Sequence, residues 1–500
     1  MAGDKDRSGK SGDHPSGTTS PSTHGPSRRD LFAAAGATLA LGALPIAAEA
    51  RSTASGAPGT DSDVIVIGGG FCGVTAAREL RRKGYSVTLL EARNRLGGRT
   101  FTSQFAGKEA DMGGTWVHWI QPHVWAEIRR YGMTIAETPG AVAEDIIYLD
   151  YQGKRHETKS SKIWPEFEDA VSRLFDNAYA TMPRPAEPFA NDAWIKGDRF
   201  SVQQKIDSTT MSAEIKPLVD TYIGLFGSAD PSQVSWMNMM LIYALSSYSA
   251  TMMNDASARY KITGGTKTLL DAIAADANAD VRLSAPVKSI RQTNDRVEVV
   301  TEDGNRITGK VAICTAPLNT LNDIEFTPAL ATGKLEPSRQ KHAGSGTKVH
   351  ILVEGQVPMT SLWAPGGKAP LNFVLWDGLI GGNTHFIGFG PSSDTLDVND
   401  TSAVETALQQ FLPKARVLEA YGYEWNVDPY SQGVWCVSRP GQISKYLGAL
   451  QDRQGRVLFA NSDWANGWRG FIDGAIEQGI IAARQTGELL AGAGASKKST

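Results

Sequence analysis

The fold is decided by the stretch DVIVIGGGFCG, residues 63–73. After Asp63 its first residues are apolar and β-branched, which predicts a short buried strand. Glycines follow in the spacing Gly-x-Gly-x-x-Gly, and residues 74–83 have a helical pattern. A second apolar strand, residues 85–90, ends at Glu91. Strand, glycine turn, helix, strand and acid in this order predict a βαβ unit that binds a dinucleotide.

Each of the three glycines in this turn is required for a different physical reason. Gly68 allows the tight turn, Gly70 lets a pyrophosphate approach the backbone, and Gly73 lets the helix pack closely on the strand. The helix N-terminus offers unpaired N–H groups and a partial positive charge to the phosphates. Glu91 can accept hydrogen bonds from ribose hydroxyls. These features alone leave NAD and FAD equally open.

Composition and charge exclude several classes of protein. With 500 residues the chain is too long for one ordinary hydrophobic core, which predicts two domains. A hydrophobic fraction of 41% and a charged fraction of 21% are typical of globular proteins. A net charge of −3 gives no basic surface for nucleic acid. Three scattered cysteines and eight histidines without ligand spacing predict neither a disulfide framework nor a metal site.

Residues 1–50 are predicted to be a targeting segment. Arg28 and Arg29 precede an uncharged run of Ala, Leu and Gly at residues 33–48, and residues 48–50 have the small-x-small pattern of a cleavage site. This pattern predicts a twin-arginine export signal and hence a periplasmic or extracellular location. The run is too short and too weakly apolar for stable membrane insertion. The alternative is a disordered tail with a chance apolar patch.

Three further segments resemble the flavin-dependent amine oxidase family, to which the monoamine oxidases belong. Residues 91–100, EARNRLGGRT, resemble the loop with which the family holds FAD. Residues 113–118, GGTWVH, resemble the segment that runs against the isoalloxazine ring, and residues 457–479 resemble the C-terminal flavin motif. The resemblance places the FAD-binding residues at Gly68, Gly70, Gly73, Glu91, Ala92, Arg93, Gly98, Arg99, Gly113, Gly114, Thr115, Trp116, Val287, Asn461, Ile472 and Ala475.

The resemblance also implies the fold class, which is α/β. A Rossmann-like FAD-binding domain is expected to be interleaved with an α+β substrate-binding domain, because flavin motifs stand near both ends of the chain. The implied FAD-binding segments are residues 60–135, 241–318 and 441–492. The substrate domain takes residues 136–240, which are predicted to be helical, and residues 319–440. Helices are predicted at residues 161–182, 203–225 and 236–253, and strands at residues 281–315 around an Asp303-Gly304 turn.

Within the family the chain is most similar to bacterial nicotine oxidases and pseudooxynicotine amine oxidases, through residues 101–107 and 116–127. This likeness implies that Trp435 and Asn466 form the two walls in front of the flavin, where mammalian monoamine oxidases use two tyrosines. It implies that Lys348 holds a water near flavin N5, with a pKa lowered by burial. Trp116 and Phe373 are further predicted pocket residues. Val434 stands where monoamine oxidases have the cysteine that tethers their flavin, so the FAD is expected to be non-covalent.

The implied reaction is FAD-dependent oxidation of a C–N bond in a secondary or tertiary, nicotine-like amine. Hydride passes from the α-carbon to flavin N5, water hydrolyses the resulting iminium, and dioxygen or a cytochrome c-like protein reoxidises the flavin. A homodimer is one option for the assembly. Two alternative functions remain open. One is an L-amino-acid oxidase, which needs a pocket arginine, and the other is a polyamine oxidase, which needs pocket carboxylates. A desaturase-like enzyme or a non-catalytic flavin-binding protein would not respond to amines at all.

Overall fold

A computed structural model describes residues 61–367 and 369–495, so the predicted targeting segment lies outside the described residues. Within that range the strands are β1 (Ser62–Ile67), β2 (Val87–Leu90), β3 (Thr102–Phe105), β4 (Lys108–Asp111), β5 (Ile135–Glu137), β6 (Asp145–Leu149), β7 (Arg155–Lys159), β8 (Tyr260–Ile262), β9 (Asp280–Arg282), β10 (Val287–Gln292), β11 (Val297–Thr301), β12 (Arg306–Cys314), β13 (Glu325–Thr327), β14 (Thr347–Val353), β15 (Thr360–Trp363), β16 (Phe373–Ile380), β17 (Asn383–Gly390), β18 (Val417–Tyr421) and β19 (Val457–Phe459). The α-helices are α1 (Phe71–Arg82), α2 (Pro122–Arg130), α3 (Ser160–Leu174), α4 (Ala178–Thr181), α5 (Val202–Ser208), α6 (Lys216–Gly227), α7 (Trp236–Leu245), α8 (Ala250–Asn254), α9 (Thr266–Ala277), α10 (Thr332–Gln340), α11 (Thr401–Gln409), α12 (Gln442–Gln451) and α13 (Ile472–Ala495).

The first sheet is built around β1. Its strand order is β13-β10-β11-β12-β1-β2-β9, and β19 pairs with β12 as well. Strands β1, β2, β12 and β19 run parallel, so their carboxyl ends lie at one edge of the sheet. Val64 and Val66 face a core formed with α1, α9 and α13, while Ile65 and Ile67 face the core on the opposite side. Burial on both faces explains why β1 is a continuous apolar run.

The glycine turn after β1 admits no side chain at two positions. Gly68 has a φ of +104°, a backbone conformation that residues with a Cβ rarely adopt. A Cβ on Gly73 would lie 1.9 Å from the carbonyl oxygen of Gly68. Helix α1 can therefore begin immediately above the end of β1.

The second sheet has the order β18-β14-β17-β16-β15-β6-β7. Its neighbouring strands are antiparallel except β15 and β6, which pair in parallel. Helices α3, α6 and α7 pack with β16 and β17 in one hydrophobic core that also includes the inner face of the first sheet. The two sheets therefore enclose a common interior, as the predicted fold class requires.

Two sheet assignments differ from the expected segments. Strands β6 and β7 lie in the segment predicted as helical, residues 136–240, yet they extend the second sheet. Strand β13 lies within residues 319–440, predicted as substrate domain, but it pairs with β10 of the first sheet. Only three residues long, β13 carries no periodic signal, and the edge of β10 decides where it belongs.

The three predicted helices are each divided in the structure. The predicted helix at 161–182 ends at Leu174, and Asn177, which has a φ of +61°, separates α3 from α4. The one at 203–225 becomes α5 and α6. The one at 236–253 is interrupted by Ser247 and Tyr248, each with a φ of +57°, because left-handed residues end an α-helix. Among the described helices, none is both long enough and apolar enough to cross a bilayer.

A buried ion pair joins α1 to α2. The guanidinium of Arg78 is fully buried and donates to both carboxylate oxygens of Glu127, at 2.5 and 2.8 Å. It also donates to the hydroxyl of Tyr131 at 3.0 Å. The other charged partners, Glu79 of Arg78 and Arg130 of Glu127, are partly exposed, so the compensation of these two buried charges comes mainly from the pair itself.

We expect Arg78→Met to lower the free energy of unfolding by about 3 kcal/mol, because the carboxylate of Glu127 loses its buried partner. Urea denaturation of the holoenzyme measures this change. Arg82→Met on the same helix is the matched control, since the Arg82 side chain is about half exposed and should change stability by less than about 0.5 kcal/mol. Equal effects of the two substitutions would contradict the interpretation.

Candidate active site

A cavity of about 480 Å³ lies at the carboxyl edge of the first sheet. Its wall includes the glycine turn after β1, the residues that follow β2, and those that follow β12 and β19. Side chains from α6, α7, β14, β16 and β17 complete it on the other side. The cavity thus has one end in the βαβ unit and another between the helices and the second sheet.

The βαβ end is arranged for a nucleotide. The carboxylate of Glu91 is buried and accepts the N–H of Gly69 at 2.7 Å and the N–H of Arg93 at 2.9 Å. Gly70 precedes α1 and has no side chain to cap the N–H groups of its first turn, which leaves them available to an anion. Of the predicted FAD-binding residues, all but Gly73 line the cavity, and Gly73 packs α1 onto the turn instead. This cradle fits the pyrophosphate and ribose of a dinucleotide.

A segment that the sequence motifs did not reveal closes the same end. Asp428 forms an ion pair with Arg93 and accepts the N–H of Tyr430 at 2.8 Å. The guanidinium of Arg93 lies 5.4 Å from the ring centre of Tyr430, and this ring lines the cavity. No glycine pattern or apolar period marks residues 423–432, so only the distant pairing of Arg93 with Asp428 could have indicated their place.

Arg99 joins the two ends of the chain in the middle of the cavity. It donates to Asp463 at 2.5 Å, to the side-chain oxygen of Asn461 at 3.1 Å, and to the carbonyl of Val434 at 2.9 Å. Asn461 in turn donates to the carbonyl of Thr315 at 2.7 Å. Residues separated by more than 350 positions in the sequence therefore form one wall. Val434, predicted to stand where monoamine oxidases have their tethering cysteine, lines the cavity here as well.

Lys348 on β14 is buried against the GGTW segment. Its ammonium donates to the carbonyls of Asp111 at 2.6 Å and Gly113 at 3.1 Å, and to the hydroxyl of Thr115 at 2.5 Å. Burial disfavours the charged form and lowers the pKa of Lys348 to about 8, although the Asp111 carboxylate opposes this shift. Lys348 also lies 4.9 Å from the ring centre of Trp116. The structure places both side chains at the cavity, as a role beside the flavin requires, and the water expected at Lys348 stays a prediction.

The far end of the cavity is aromatic and apolar. Trp435 donates its indole N–H to the carbonyl of Phe226 at 3.1 Å, which fixes the orientation of its ring. Phe389 stands between Trp435 and Trp116, at centroid distances of 6.5 and 5.7 Å. Further apolar lining residues of this end include Leu225, Phe226, Ile242, Leu375 and Phe471.

Asn466 does not stand opposite Trp435. It lies outside the cavity lining, where its side-chain oxygen accepts from Gln451 at 2.7 Å and its backbone N–H donates to Glu477 at 3.1 Å. Phe471, five residues further along, lines the cavity instead. The hydrogen bonds to Gln451 and Glu477 hold Asn466 in the loop before α13, which corrects the expected Trp435–Asn466 pair.

Phe373 is likewise placed away from the cavity. It is buried in the core, 5.0 Å from the ring centre of Trp363, and does not line the cavity. Leu375, which lies two positions further on the same face of β16, lines the cavity, as does Phe389, the cross-strand partner of Phe373. The predicted pocket role of Phe373 is therefore replaced by these two residues.

The chain belongs to the flavin containing amine oxidoreductase family, whose model matches residues 71–486. It is therefore an amine oxidoreductase with FAD as its cofactor, and the fold class and family resemblance predicted from sequence are confirmed. The chain is similar to pseudooxynicotine dehydrogenase from Pseudomonas sp, with 40% identity over 94% of this chain and 97% of that protein. It is also similar to nicotine dehydrogenase from Pseudomonas putida, with 35% identity over 93% and 98%. A solved triple mutant of putrescine oxidase shares the fold, with a TM-score of 0.74 and 22% identity over 86% of this chain and 99% of that one.

We expect Gly73→Ala to reduce bound FAD to below about a tenth of the wild-type content, because the new Cβ would collide with the backbone of the phosphate turn. The ratio of visible flavin absorbance to protein absorbance after purification measures this content. Gly487→Ala in α13 is the matched control, since its Cβ would meet no atom closer than 3.6 Å. A Gly73→Ala protein with full flavin content would disprove the role assigned to this contact.

The stability of the protein should depend on the titration of Lys348. An unfolded lysine with a pKa near 10.5 binds more protons between about pH 8 and 10.5 than the folded one, so stability rises with pH across this window. Relative to Lys348→Met, the wild type should gain up to about 3 kcal/mol from pH 7 to pH 10.5. Urea denaturation of the wild type and Lys348→Met at both pH values measures the difference, and equal stability changes in the two proteins would contradict the prediction.

Proposed function

We propose that the protein oxidises a C–N bond in a secondary or tertiary amine related to nicotine, giving an iminium that water hydrolyses. The observation that carries this proposal is the continuity of the cavity. The FAD-binding residues lead without interruption to an end walled by Trp116, Phe389 and Trp435. The names of the two bacterial relatives support the substrate class.

In this reaction the protein positions the amine, and the cofactor accepts the electrons. FAD, when bound, supplies the two-electron acceptor. The aromatic faces position the amine, and the nitrogen lone pair forms the C=N bond as the α-carbon loses a hydride. Among the described lining residues the carboxylates are Glu91, Glu302 and Asp323, which stand with the nucleotide-binding segments. An unpaired ammonium at the apolar end would be costly to bury, which favours the neutral amine as the reacting form.

The electron acceptor and the location belong to the same proposal. Both relatives are named dehydrogenases, which supports an acceptor other than dioxygen, such as a cytochrome c-like protein. Arg28, Arg29 and the run at residues 33–48 support export by the twin-arginine route. An exported enzyme of this kind would deliver electrons outside the cytoplasm.

Arg469 supports a second candidate, the oxidation of L-amino acids. It is buried at the cavity wall, where its Nε donates to the carbonyl of Ala465 at 3.1 Å. Within the part of the chain that is described, it forms no salt bridge, so its guanidinium could bind a substrate carboxylate. No comparable feature favours a polyamine, because the described carboxylates of the lining are not at the apolar end.

Anaerobic mixing with candidate substrates distinguishes these functions. We expect pseudooxynicotine or nicotine to bleach the visible flavin absorbance, whereas putrescine and L-amino acids should not. Trp435→Leu should slow this bleaching by about tenfold or more because it removes an aromatic wall. Trp376→Leu is the control, since Trp376 lies next to Leu375 on β16 but outside the lining. Bleaching by amino acids alone would favour the second candidate, and the absence of bleaching by any amine would refute the proposed substrate class.

A further inference from the structure

Helix α7 carries one side-chain amide among apolar and aromatic neighbours. Its sequence is WMNMMLIYAL, and Asn238 is its third residue. The Asn238 side chain is more than nine-tenths buried and lines the cavity together with Ile242, one turn further along the helix. A buried amide on an otherwise apolar helix needs hydrogen-bond partners, because leaving its donors unpaired destabilises the protein.

The orientation of the Asn238 amide is fixed by its one protein partner. The backbone N–H of Ser438 lies 3.2 Å from the side-chain oxygen of Asn238. A backbone N–H can only donate, so the atom that faces it must be Oδ1 and not Nδ2. The two N–H groups on Nδ2 have no acceptor among the described residues, and they are not sealed within the protein either. They therefore open onto the cavity.

Two other polar side chains on the lining, Asn254 and Ser257, also have hydrogen-bonding groups without a partner among the described residues, but neither is a fixed donor. Asn254 donates its Nδ2 to the carbonyl of Ala141 at 2.9 Å, which leaves its side-chain oxygen, an acceptor, unused. Ser257, on the π-helical turn Asp255–Arg259, has a buried hydroxyl without a partner among the described residues. Asn238 is thus a neutral donor of fixed orientation, and the other lining residue of its helix, Ile242, is apolar.

We propose that Asn238 is a specificity-determining residue whose amide N–H groups donate to a neutral acceptor on the substrate. The acceptor is a carbonyl oxygen or an aromatic ring nitrogen that the amine carries away from its reacting C–N bond. This inference rests on the proposed function and narrows its substrate class to acceptor-bearing amines. A substrate without such an acceptor leaves the buried donors unpaired, and sites of this kind discriminate more strongly than apolar pockets do.

The experiment combines enzyme variants with matched substrates. Rates of anaerobic flavin reduction are measured for the wild-type holoenzyme and Asn238→Leu with pseudooxynicotine, its analogue without the ketone oxygen, and its analogue with phenyl in place of pyridine. We expect Asn238→Leu to lower the apparent second-order rate constant of flavin reduction about 10- to 100-fold for pseudooxynicotine. One analogue lacks the group that Asn238 contacts, either the ketone oxygen or the ring nitrogen. For that analogue the loss caused by Asn238→Leu should fall below about threefold. A loss that vanishes without the ketone identifies the carbonyl, and one that vanishes without the ring nitrogen identifies the pyridine.

Two further variants separate recognition from structure. Asn238→Asp, measured at a pH at which its carboxyl is ionised, retains an oxygen for the N–H of Ser438 but has no donor, so it should lose the same discrimination even where Asn238→Leu folds poorly. Asn254→Leu lies on the same lining but removes no free donor, and it should affect pseudooxynicotine and the analogues alike.

The outcomes also separate this inference from the proposed function. If no amine bleaches the wild-type flavin, the proposed function fails and the role of Asn238 fails with it. If wild type is bleached but Asn238→Leu and Asn238→Asp slow all three amines equally, Asn238 has only a structural role and this inference is overturned.

Discussion

The pairing of β12 with both β1 and β19 is the constraint on which the active site depends. Strand β1 brings the glycine turn, β12 brings Thr315, and β19 brings Asn461, all at the same edge because the three strands are parallel. Arg99 then ties the GGR loop to this edge through an ion pair with the fully buried carboxylate of Asp463. These contacts bring together FAD-binding residues that are far apart in the sequence. Without them the continuous cavity would not form.

The cavity changes character along its length, and the two sheets account for the change. The first sheet contributes backbone N–H groups and the buried carboxylate of Glu91, which suit a charged, hydrogen-bonding cofactor. The second sheet and the helices contribute aromatic rings, which suit an uncharged organic substrate. Lys348 stands at the boundary, where it holds the carbonyls of Asp111 and Gly113 from across the interior. Its lowered pKa follows from this position, because a cation there has lost its water.

The residues predicted for the cofactor lie at the cavity almost without exception, whereas Asn466 and Phe373, predicted for the substrate, do not, and the difference is physical. The glycine turn and the loop at residues 91–100 are specified by local backbone requirements, so short motifs identify them. The wall opposite Trp435 depends on how the loop before α13 packs, and Asn466 and Phe471 are too close in sequence for a motif to choose between them. Asn238 in an apolar helix and Asp428 in an unpatterned loop acquire their roles only from contacts with residues far away in the chain. Strand β13 is similarly assigned by its neighbour and not by its own three residues.

The distance along the chain between β12 and β19 also bears on how the site forms. Residues between 461 and 475 contribute to the cavity wall, yet about 140 positions separate β19 from its partner β12. Long-range strand pairing of this kind forms slowly, because the intervening loop must first be closed. The glycine turn after β1 depends on local contacts and can form earlier, but a cavity that encloses a cofactor requires both parts.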